Sequence, residues 1–392
     1  MSRRSSVLLA LASLTLAACS SSHAKDTSGQ DSGAQDSGAP SADATADAGA
    51  DAAPATTYTL ITEPDQGMQP IYDLVTSAKK TIDMTMYGLT DTTMTGLLTT
   101  AASKGIAVRV ILDQNLEMTD NSAAYAALGA GGVKVHWANP VYASTHQKTI
   151  TVDRATSAIM SLNLTSIDYP TSRDFAVITD DKADVAAIES VFAADFIDAN
   201  ITPPNGDNLV WSPTNAEPSL VGIIDGAKTS LLVENEEMSD SSIVTALEHA
   251  ATRGVAVHIA MEDSSSYQTE FAELVTAGAK LATYAHDAIY IHAKVVLADY
   301  GTSTASVFIG SENFTYTSLD ENRELGLITT DPGIMSGIST TLTKDFAGGT
   351  PFQVPTTPPV TDAGSGEGGD AGAAEGGDAG GGVVTDGGAS GD

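Results

Sequence analysis

The 392-residue sequence is poor in cysteine and in basic residues, and it lacks a long apolar run. Cys19 is the single cysteine, which excludes an internal disulfide bond. The 18 Lys and Arg residues stand against 50 Asp and Glu residues, and the net charge of −32 disfavours general nucleic-acid binding. The apolar run from Val7 to Leu16 is shorter than the ~20 residues that a membrane-spanning helix needs. The fold must therefore depend on a buried core, for which the chain is long enough.

The N-terminal segment has the features of an export signal. Arg3 and Arg4 precede the apolar run and small residues follow it, so residues 1–18 are predicted to be a signal peptide. The sequence "LAAC" ending at Cys19 resembles the lipobox of bacterial lipoproteins. This resemblance implies that Cys19 is lipidated and anchors an exported protein to the bacterial cell envelope, at the outer membrane or the surface. An ordinary signal peptide that happens to contain a cysteine is the alternative.

Two low-complexity segments flank the region that is expected to fold. Residues 19–56 and 356–392 consist largely of Ala, Ser, Asp and Gly, and they predict a disordered tether and a disordered tail. Residues 57–355 hold 15 Lys and Arg and 37 Asp and Glu residues, which is −22 of the net charge. The acidity therefore belongs mainly to the folded region, where we interpret it as a source of solubility.

The folded region repeats itself. "SAKKTIDMTMYGLTD" at 77–91 is echoed by "DGAKTSLLVENEEMSD" at 225–240, and "AASKGIAVRVILD" at 101–113 is echoed by "AATRGVAVHIAMED" at 250–263. In each copy helical patterns alternate with strand patterns, which is typical of α/β structure. The sequence therefore predicts two α/β units packed together.

The repeat is tightest around two histidines that stand on predicted buried strands. His146 and Lys148 correspond to His292 and Lys294, and residues two apart on a strand share a face. The other repeated polar residues are Asp153 and Asp299, Ser161 and Ser311, Asn163 and Asn313, and Asp174 and Glu324. Duplicated core strands explain repeated apolar residues but not repeated polar ones. The two aspartates lie seven residues after the histidines, with opposite parity, so we interpret them as structural hydrogen-bonding residues at strand ends.

The repeated set suits chemistry on a phosphodiester. Lysine ammonium groups and asparagine amides can bind the non-bridging oxygens, where negative charge develops in the transition state. One neutral imidazole can attack phosphorus while the other, protonated, gives its proton to the leaving oxygen. Equivalent histidines must then hold opposite protonation states, and a carboxylate on each ring's far nitrogen would fix its tautomer and orientation.

These residues resemble the phospholipase D superfamily, whose signature is H-x-K-x4-D followed by G-S-x-N, usually twice in one chain. The second copy fits in full, including Gly310, whereas Met160 replaces the glycine in the first copy and is expected to add bulk where the backbone approaches substrate. The resemblance implies two α/β repeats, 57–203 and 204–355, each a mixed β-sheet flanked by helices. It further implies that the repeats pack as a pseudo-dimer with both motifs at one site.

The resemblance also implies a reaction through a phosphohistidine without a metal or other cofactor. It makes His146 the nucleophile and His292 the acid and then the base, although the reverse assignment stays open. Asp174 and Glu324 stand where the family places the carboxylates that orient the histidines; plain strand-edge charges are the alternative.

Other polar residues give weaker signals. The remaining histidines lack the spacing of metal ligands, so no zinc site is predicted; they are His23, His136, His249, His258 and His286. The acidic stretch 234–242 could attract a cation, but we interpret it as a solvated loop.

Three functions follow from these observations. The favoured one is a monomeric, lipid-anchored phosphodiesterase of the phospholipase D type (EC 3.1.4-type), acting on phospholipid head groups by hydrolysis or transfer to another alcohol. The second is a secreted or envelope endonuclease of the same superfamily, which the acidic folded region disfavours. The third is an inactive relative that binds anionic ligands, for which Met160 is the support.

Overall fold

The computed structural model describes residues 56–286 and 288–355. Cys19, the predicted signal peptide and tail, and all but the last residue of the predicted tether lie outside these ranges. Within them, no helix combines the length and the apolar character needed to cross a membrane.

In the described residues, the first repeat contains seven strands and four helices. In chain order they are β1 (Tyr58–Glu63), α1 (Gln69–Ser77), β2 (Thr81–Met86), α2 (Thr92–Ser103), β3 (Ala107–Leu112), α3 (Met118–Ala130), β4 (Lys134–Trp137), β5 (Thr149–Val152), β6 (Thr156–Met160), β7 (Ser172–Thr179) and α4 (Lys182–Asp195).

The second repeat follows the same order with additions. Its elements are β8 (Leu209–Ser212), α5 (Ala216–Gly226), β9 (Ser230–Asn235), α6 (Ser241–Thr252), β10 (Ala256–Glu262), a 3₁₀ turn (Ser265–Tyr267), α7 (Gln268–Ala277), β11 (Lys280–Tyr284), β12 (Tyr290–Ile291), β13 (Val295–Ala298), β14 (Ser306–Gly310), a π-helical turn (Thr317–Glu321), β15 (Glu324–Thr329), α8 (Pro332–Gly348) and β16 (Thr350–Pro351).

Each repeat forms a mixed sheet. The first has the strand order β1-β7-β6-β5-β2-β3-β4, and the second has the order β16-β11-β10-β9-β13-β14-β15-β8. The β2–β3–β4 and β9–β10–β11 neighbours are parallel, as strands joined by crossover helices must be, and the hairpins β5–β6 and β13–β14 are antiparallel. The two mixed sheets with their flanking helices confirm the predicted α/β pseudo-dimer.

Aspartate side chains set the start of four helices at matching places in the two repeats. Asp91 and Asp240 cap α2 and α6, and Asp181 and Asp331 cap α4 and α8, each accepting backbone N–H groups two and three residues further on. A cap of this kind typically contributes about 1 kcal/mol, because it satisfies N–H groups that have no partner inside the helix. The repeats therefore share helix registers as well as strands.

One hydrophobic cluster joins the repeats. It contains Phe175 and Val177 of β7 together with Leu325 and Leu327 of β15, and Trp211 of β8 is fully buried within it. On β7 and on β15 a carboxylate residue comes directly before the first of these cluster residues. Packing of the shared core therefore places both carboxylates at the junction between the repeats.

The backbone passes from one sheet to the other at each histidine. β12 pairs with β7 in the first repeat's sheet, whereas β13 belongs to the second sheet, and residues 292–294 lie between them outside any strand. Thr145 likewise bridges to Arg323 before β5 begins. The prediction that each His-x-Lys lies within one buried strand is therefore wrong, because the strand is divided between two sheets at the motif.

Candidate active site

Each histidine is held by a carboxylate from the other repeat. His146 Nδ1 lies 2.8 Å from Glu324 Oε2, and His292 Nδ1 lies 2.8 Å from Asp174 Oδ1. A carboxylate can only accept, so each Nδ1 carries the hydrogen and each Nε2 is directed to the other side of the ring. The four residues are all buried, and the two crossed dyads bring both motifs to one site.

The lysines of the motifs are fully buried beside the histidines. Lys148 Nζ donates to the carbonyl oxygen of His146 at 2.8 Å, and Lys294 Nζ donates to that of His292 at 2.6 Å. Lys148 also lies 4.7 Å from the centre of the Tyr87 ring, a cation–π contact. Each ammonium group is thus fixed beside the histidine of its own motif.

The asparagines and serines of the motifs follow β6 and β14. Asn163 lines one pocket with His292, and Asn313 Nδ2 lies 3.4 Å from Glu236, which also contacts Lys294. Ser161 Oγ donates to Asp174 at 2.6 Å. Ser311 instead bonds the backbone of Leu325.

The serine that donates a hydrogen bond to Glu324 is not the serine of the second motif. Ser318 Oγ donates to Glu324 Oε1 at 2.5 Å, and Asn322 Nδ2 donates to the same oxygen at 3.1 Å. The two dyads therefore have different supports.

The motif aspartates lie away from the histidines. Asp153 accepts the backbone N–H groups of residues 79–81, and Asp299 accepts those of residues 228–230. The strand that separates each aspartate from its histidine has four residues and is about 13 Å long. These aspartates fix the turns that lead into β2 and β9.

The environments push the two histidine pKa values in opposite directions. Burial lowers the pKa of His146 below its usual value, and Glu324 only partly opposes this. Burial also acts to lower the pKa of His292, but Asp174 and Glu236 together raise it above its usual value. A neutral His146 and a protonated His292 are therefore favoured at the same pH.

Glu236 was missed because no polar residue repeats at its position. Its Oε2 atom lies 2.9 Å from Lys294 Nζ and 3.7 Å from His292 Nε2, and its other oxygen accepts a hydrogen bond from Tyr290. The side chain is 21% exposed, and Lys294 and His292 hold its pKa well below the usual value although burial acts to raise it.

The stretch 234–242 is consequently not a solvated loop. Glu234 and Asn235 are fully buried at the end of β9, and Glu236 faces the site. The interpretation as a solvated acidic loop was wrong. A run of acidic residues usually lies on the surface, but this run begins inside the buried end of β9.

Two further acids position the chain just before the histidines. Asp113 accepts the N–H of Thr145 at 2.7 Å, and Glu262 accepts the N–H of Ile291 at 2.8 Å. The repeat alignment places these acids at equivalent positions, so their repetition was a signal that could have found them.

Buried arginines tie the repeats together in the same crossed way. Arg173 Nε lies 2.5 Å from Asp345 Oδ2, and Arg323 Nε lies 3.0 Å from Asp195 Oδ2. Each arginine directly precedes the carboxylate of a dyad, so these pairs fix β7 and β15 against the opposite repeat. Both arginines and both aspartates recur at the same offset between the repeats, and a phenylalanine follows each aspartate. This repetition in the sequence could have indicated the two ion pairs.

Met160 does not add bulk at the site. Its side chain is fully buried in the hydrophobic core of the first repeat, so the expectation that it obstructs the approach to substrate was wrong. The reason for Gly310 is also different: a Cβ there would lie 2.5 Å from the Gly326 Cα and would collide with the buried Glu312 carboxyl. Glycine at this position makes room for Glu312.

Across residues 56–286 and 288–355, no three or more His, Cys, Asp or Glu side chains are grouped so that they could hold a metal ion.

Two mixed sheets that bring paired His-x-Lys motifs to one junction define a two-repeat phospholipase D-like protein. The family model described as "Cardiolipin synthase, PLD-like domain" matches residues 71–196 and 220–347. The chain therefore belongs to this family, within the phospholipase D superfamily.

Among curated proteins, cardiolipin synthase A from three strains of Pseudomonas aeruginosa is 27% identical to this chain. The alignment covers 42% of this chain and 37% of that protein. The chain thus spans well under half the length of the curated relatives that it matches.

Two solved structures share the fold. Polyphosphate kinase from Porphyromonas gingivalis matches 74% of this chain and 50% of its own, with a TM-score of 0.59 and 16% identity. Phosphatidylserine synthase from Haemophilus influenzae matches 75% of this chain and 87% of its own, with a TM-score of 0.59 and 11% identity. At these identities the likeness concerns the fold alone.

Proposed function

We propose that the chain is a phospholipase D-like phosphodiesterase that acts on phospholipid head groups, by hydrolysis or by transfer to another alcohol. The observation that carries the proposal is the pair of crossed His–carboxylate dyads, whose surroundings move the pKa values of two repeat-equivalent histidines in opposite directions. A reaction that needs one imidazole as nucleophile and one imidazolium as acid requires this difference.

In the first step, the neutral Nε2 of His146 attacks phosphorus and forms a P–N bond. The P–O bond to the head-group alcohol breaks, and His292 Nε2 gives its proton to the leaving oxygen, an effect of about 10² to 10⁴ in rate. Lys148 and Lys294 with Asn163 and Asn313 bind the non-bridging oxygens, where the charge of the transition state is concentrated.

In the second step, neutral His292 removes a proton from water or from an acceptor alcohol, whose oxygen attacks the phosphohistidine. The P–N bond breaks and His146 is restored. Glu324 and Asp174 keep both rings in place throughout, since each holds an Nδ1 hydrogen.

Glu236 gives the two halves of the site different roles. Lys294 is already paired with this carboxylate, so a substrate oxygen has to displace Glu236 to reach it, whereas Lys148 faces the ring of Tyr87. Binding of a phosphoryl oxygen at Lys294 therefore competes with Glu236.

The likeness to cardiolipin synthase A supports a phospholipid substrate. The sequence supports export and lipid anchoring at Cys19, which would keep the enzyme next to its substrate. Replacement Cys19→Ser is expected to move the protein from the membrane fraction to the soluble fraction; an unchanged distribution would overturn the anchoring proposal.

The test of activity uses the full-length protein in EDTA, with detergent micelles of phosphatidylcholine, phosphatidylglycerol or cardiolipin, a chromogenic phosphodiester, and single-stranded DNA. We expect release of head groups and of the chromogen, and labelled phosphate bound to histidine after quenching in alkali, which the P–N bond survives. Failure to cleave any lipid or the diester would sink the proposal, and a marked preference for DNA would favour the endonuclease instead.

A further inference from the structure

A small pocket adjoins His292 and its partner Asp174. It is lined by Glu63, Asp168, Tyr169, Asp174, Tyr290 and His292, among others. Its volume is about 10 Å³, which accommodates one water-sized group. Asn163, a proposed phosphate ligand, lines the same pocket, so the pocket adjoins the place where the substrate phosphate would lie.

Glu63 is a buried carboxyl group that has no role in the proposed reaction. Its residue is 2% exposed, and neither of its oxygens forms a hydrogen bond of normal geometry. Burial and the neighbouring Asp174 raise its pKa to about 7, against a weak opposing contact with the Gly67 amide. A buried carboxyl without a hydrogen-bond partner is costly, so a ligand that supplies one would be bound favourably.

The charges around the pocket favour a cation. Its lining carries three carboxyl groups and two tyrosine rings against one cationic group, His292, and no lysine or arginine lines it. Arg173 lies nearby but is paired with Asp345 and Asp65, and it donates to the backbone oxygen of Glu63 rather than to its carboxyl. Carboxylates and aromatic faces together are the groups that bind ammonium ions.

The carboxyl group of Glu63 has no counterpart at the equivalent position of the second repeat. Ser212 stands in the second repeat where Glu63 stands in the first, and it bonds the backbone oxygen of Ser318. The buried carboxyl near the Glu324 dyad is Glu312, which follows β14 and does not line this pocket.

We propose that this pocket is a subsite for the primary ammonium group of an amino-alcohol head group, with Glu63 as its counter-ion. The inference rests on the proposed function and names its substrate class. A primary ammonium has a single heavy atom, as water does, and fits the pocket. A trimethylammonium adds three carbon atoms and does not fit, and the hydroxyl of a glycerol head group lacks the charge.

The first experiment needs no variant. The full-length protein is assayed on detergent micelles that carry phosphatidylethanolamine, its N-methyl and N,N-dimethyl derivatives, phosphatidylcholine or phosphatidylglycerol at equal surface concentration, with the released alcohol measured. We expect kcat/KM to be about tenfold to a hundredfold higher for the primary amine than for the trimethyl or glycerol head groups, as for loss of a charge-assisted hydrogen bond. Equal rates would overturn the subsite while leaving the proposed function intact.

The second experiment tests Glu63 directly. Glu63→Gln should reduce the ratio of phosphatidylethanolamine to phosphatidylglycerol cleavage by about the same factor, because the amide keeps the shape and removes the charge. Glu273→Gln, an exposed residue on α7, removes the same charge at the surface and should leave the ratio unchanged. If Glu63→Gln kept the preference, Glu63 would not be the counter-ion. Absence of cleavage of all lipids and of a chromogenic diester by the unmodified protein would instead count against the proposed function itself.

Discussion

The two repeats keep one scaffold and differ in what surrounds each histidine. Tyr87 and Glu236 occupy equivalent positions, and the first lies against Lys148 while the second neutralises Lys294. Burial dominates the pKa of His146, whereas carboxylates outweigh burial at His292. The comparison teaches that a duplicated site can acquire two roles by changing neighbours while the reacting groups stay the same.

The largest effects are expected from replacing the histidines, which would show whether the two are equivalent. With a p-nitrophenyl phosphodiester, His146→Asn should reduce kcat by at least about 10⁴-fold and abolish the alkali-stable phosphoenzyme, because no nucleophile remains. His292→Asn should cost less, about 10² to 10⁴-fold, and should let the phosphoenzyme accumulate, since p-nitrophenolate leaves without an acid. Labelled phosphate found on His292 in the His146→Asn protein would reverse the assignment.

The crossed arginine pairs test whether the junction is symmetric. Arg173→Leu and Arg323→Leu should each lower the free energy of unfolding by about 3 to 5 kcal/mol, because each leaves a buried aspartate without its partner. Arg253→Leu is the matched control, since its pair with Asp225 is exposed and worth about 1 kcal/mol or less. Urea denaturation measures all three; a loss at Arg173 no larger than at Arg253 would contradict a structural role for the crossed pair.

Replacing the glycine of the second motif by alanine should lower the stability of the protein more than the same replacement at a glycine within a helix. Gly310→Ala places a methyl group against Gly326 and Glu312 and should cost about 1 to 3 kcal/mol of stability. Gly222→Ala in α5 meets no atom within 4 Å and should be neutral or slightly stabilising. Thermal unfolding of the two variants compares them, and equal stability would mean that Glu312 can move aside.

The smallest effect concerns Glu236. Glu236→Gln should lower KM for a phosphodiester by about two- to tenfold, because Lys294 loses a competing carboxylate that is partly exposed. It should also lower the pKa of His292, which this carboxylate helps to raise. His292 must be protonated to act as an acid, so the alkaline limb of the kcat/KM profile should move to lower pH, while the acidic limb, set by His146, stays in place. If the alkaline limb did not move, Glu236 would not contribute to the difference between the pKa values of the two histidines.

The sequence predicted the fold class and named the residues that meet at the junction, since polar residues repeated at a near-constant offset cannot be explained by packing. It did not predict which carboxylate holds which histidine. Asp174 follows His146 in the chain but bonds His292, because β12 joins the opposite sheet. Sequence separation carries no information on such an exchange between repeats.

Residues that do not repeat were the harder part of the site. Glu236 and Glu63 have Tyr87 and Ser212 as counterparts, so the comparison that found the motif excluded them. Their roles depend on distances to Lys294 and to Asp174 that only the folded chain fixes. Met160 was misinterpreted for a related reason, because a departure from a motif does not reveal which way the side chain points.

The crossed dyads also bear on how such a chain arose. Contacts in which each half lends the other a carboxylate and an aspartate are those of a two-fold symmetric dimer, so a one-repeat ancestor would have worked as a pair of identical subunits. In that ancestor both histidines would have had the same surroundings, and only the bound substrate could have made them unequal. Once the two subunits were joined in one chain, each half could acquire its own substitutions, so that the surroundings of the two histidines could differ before substrate binds.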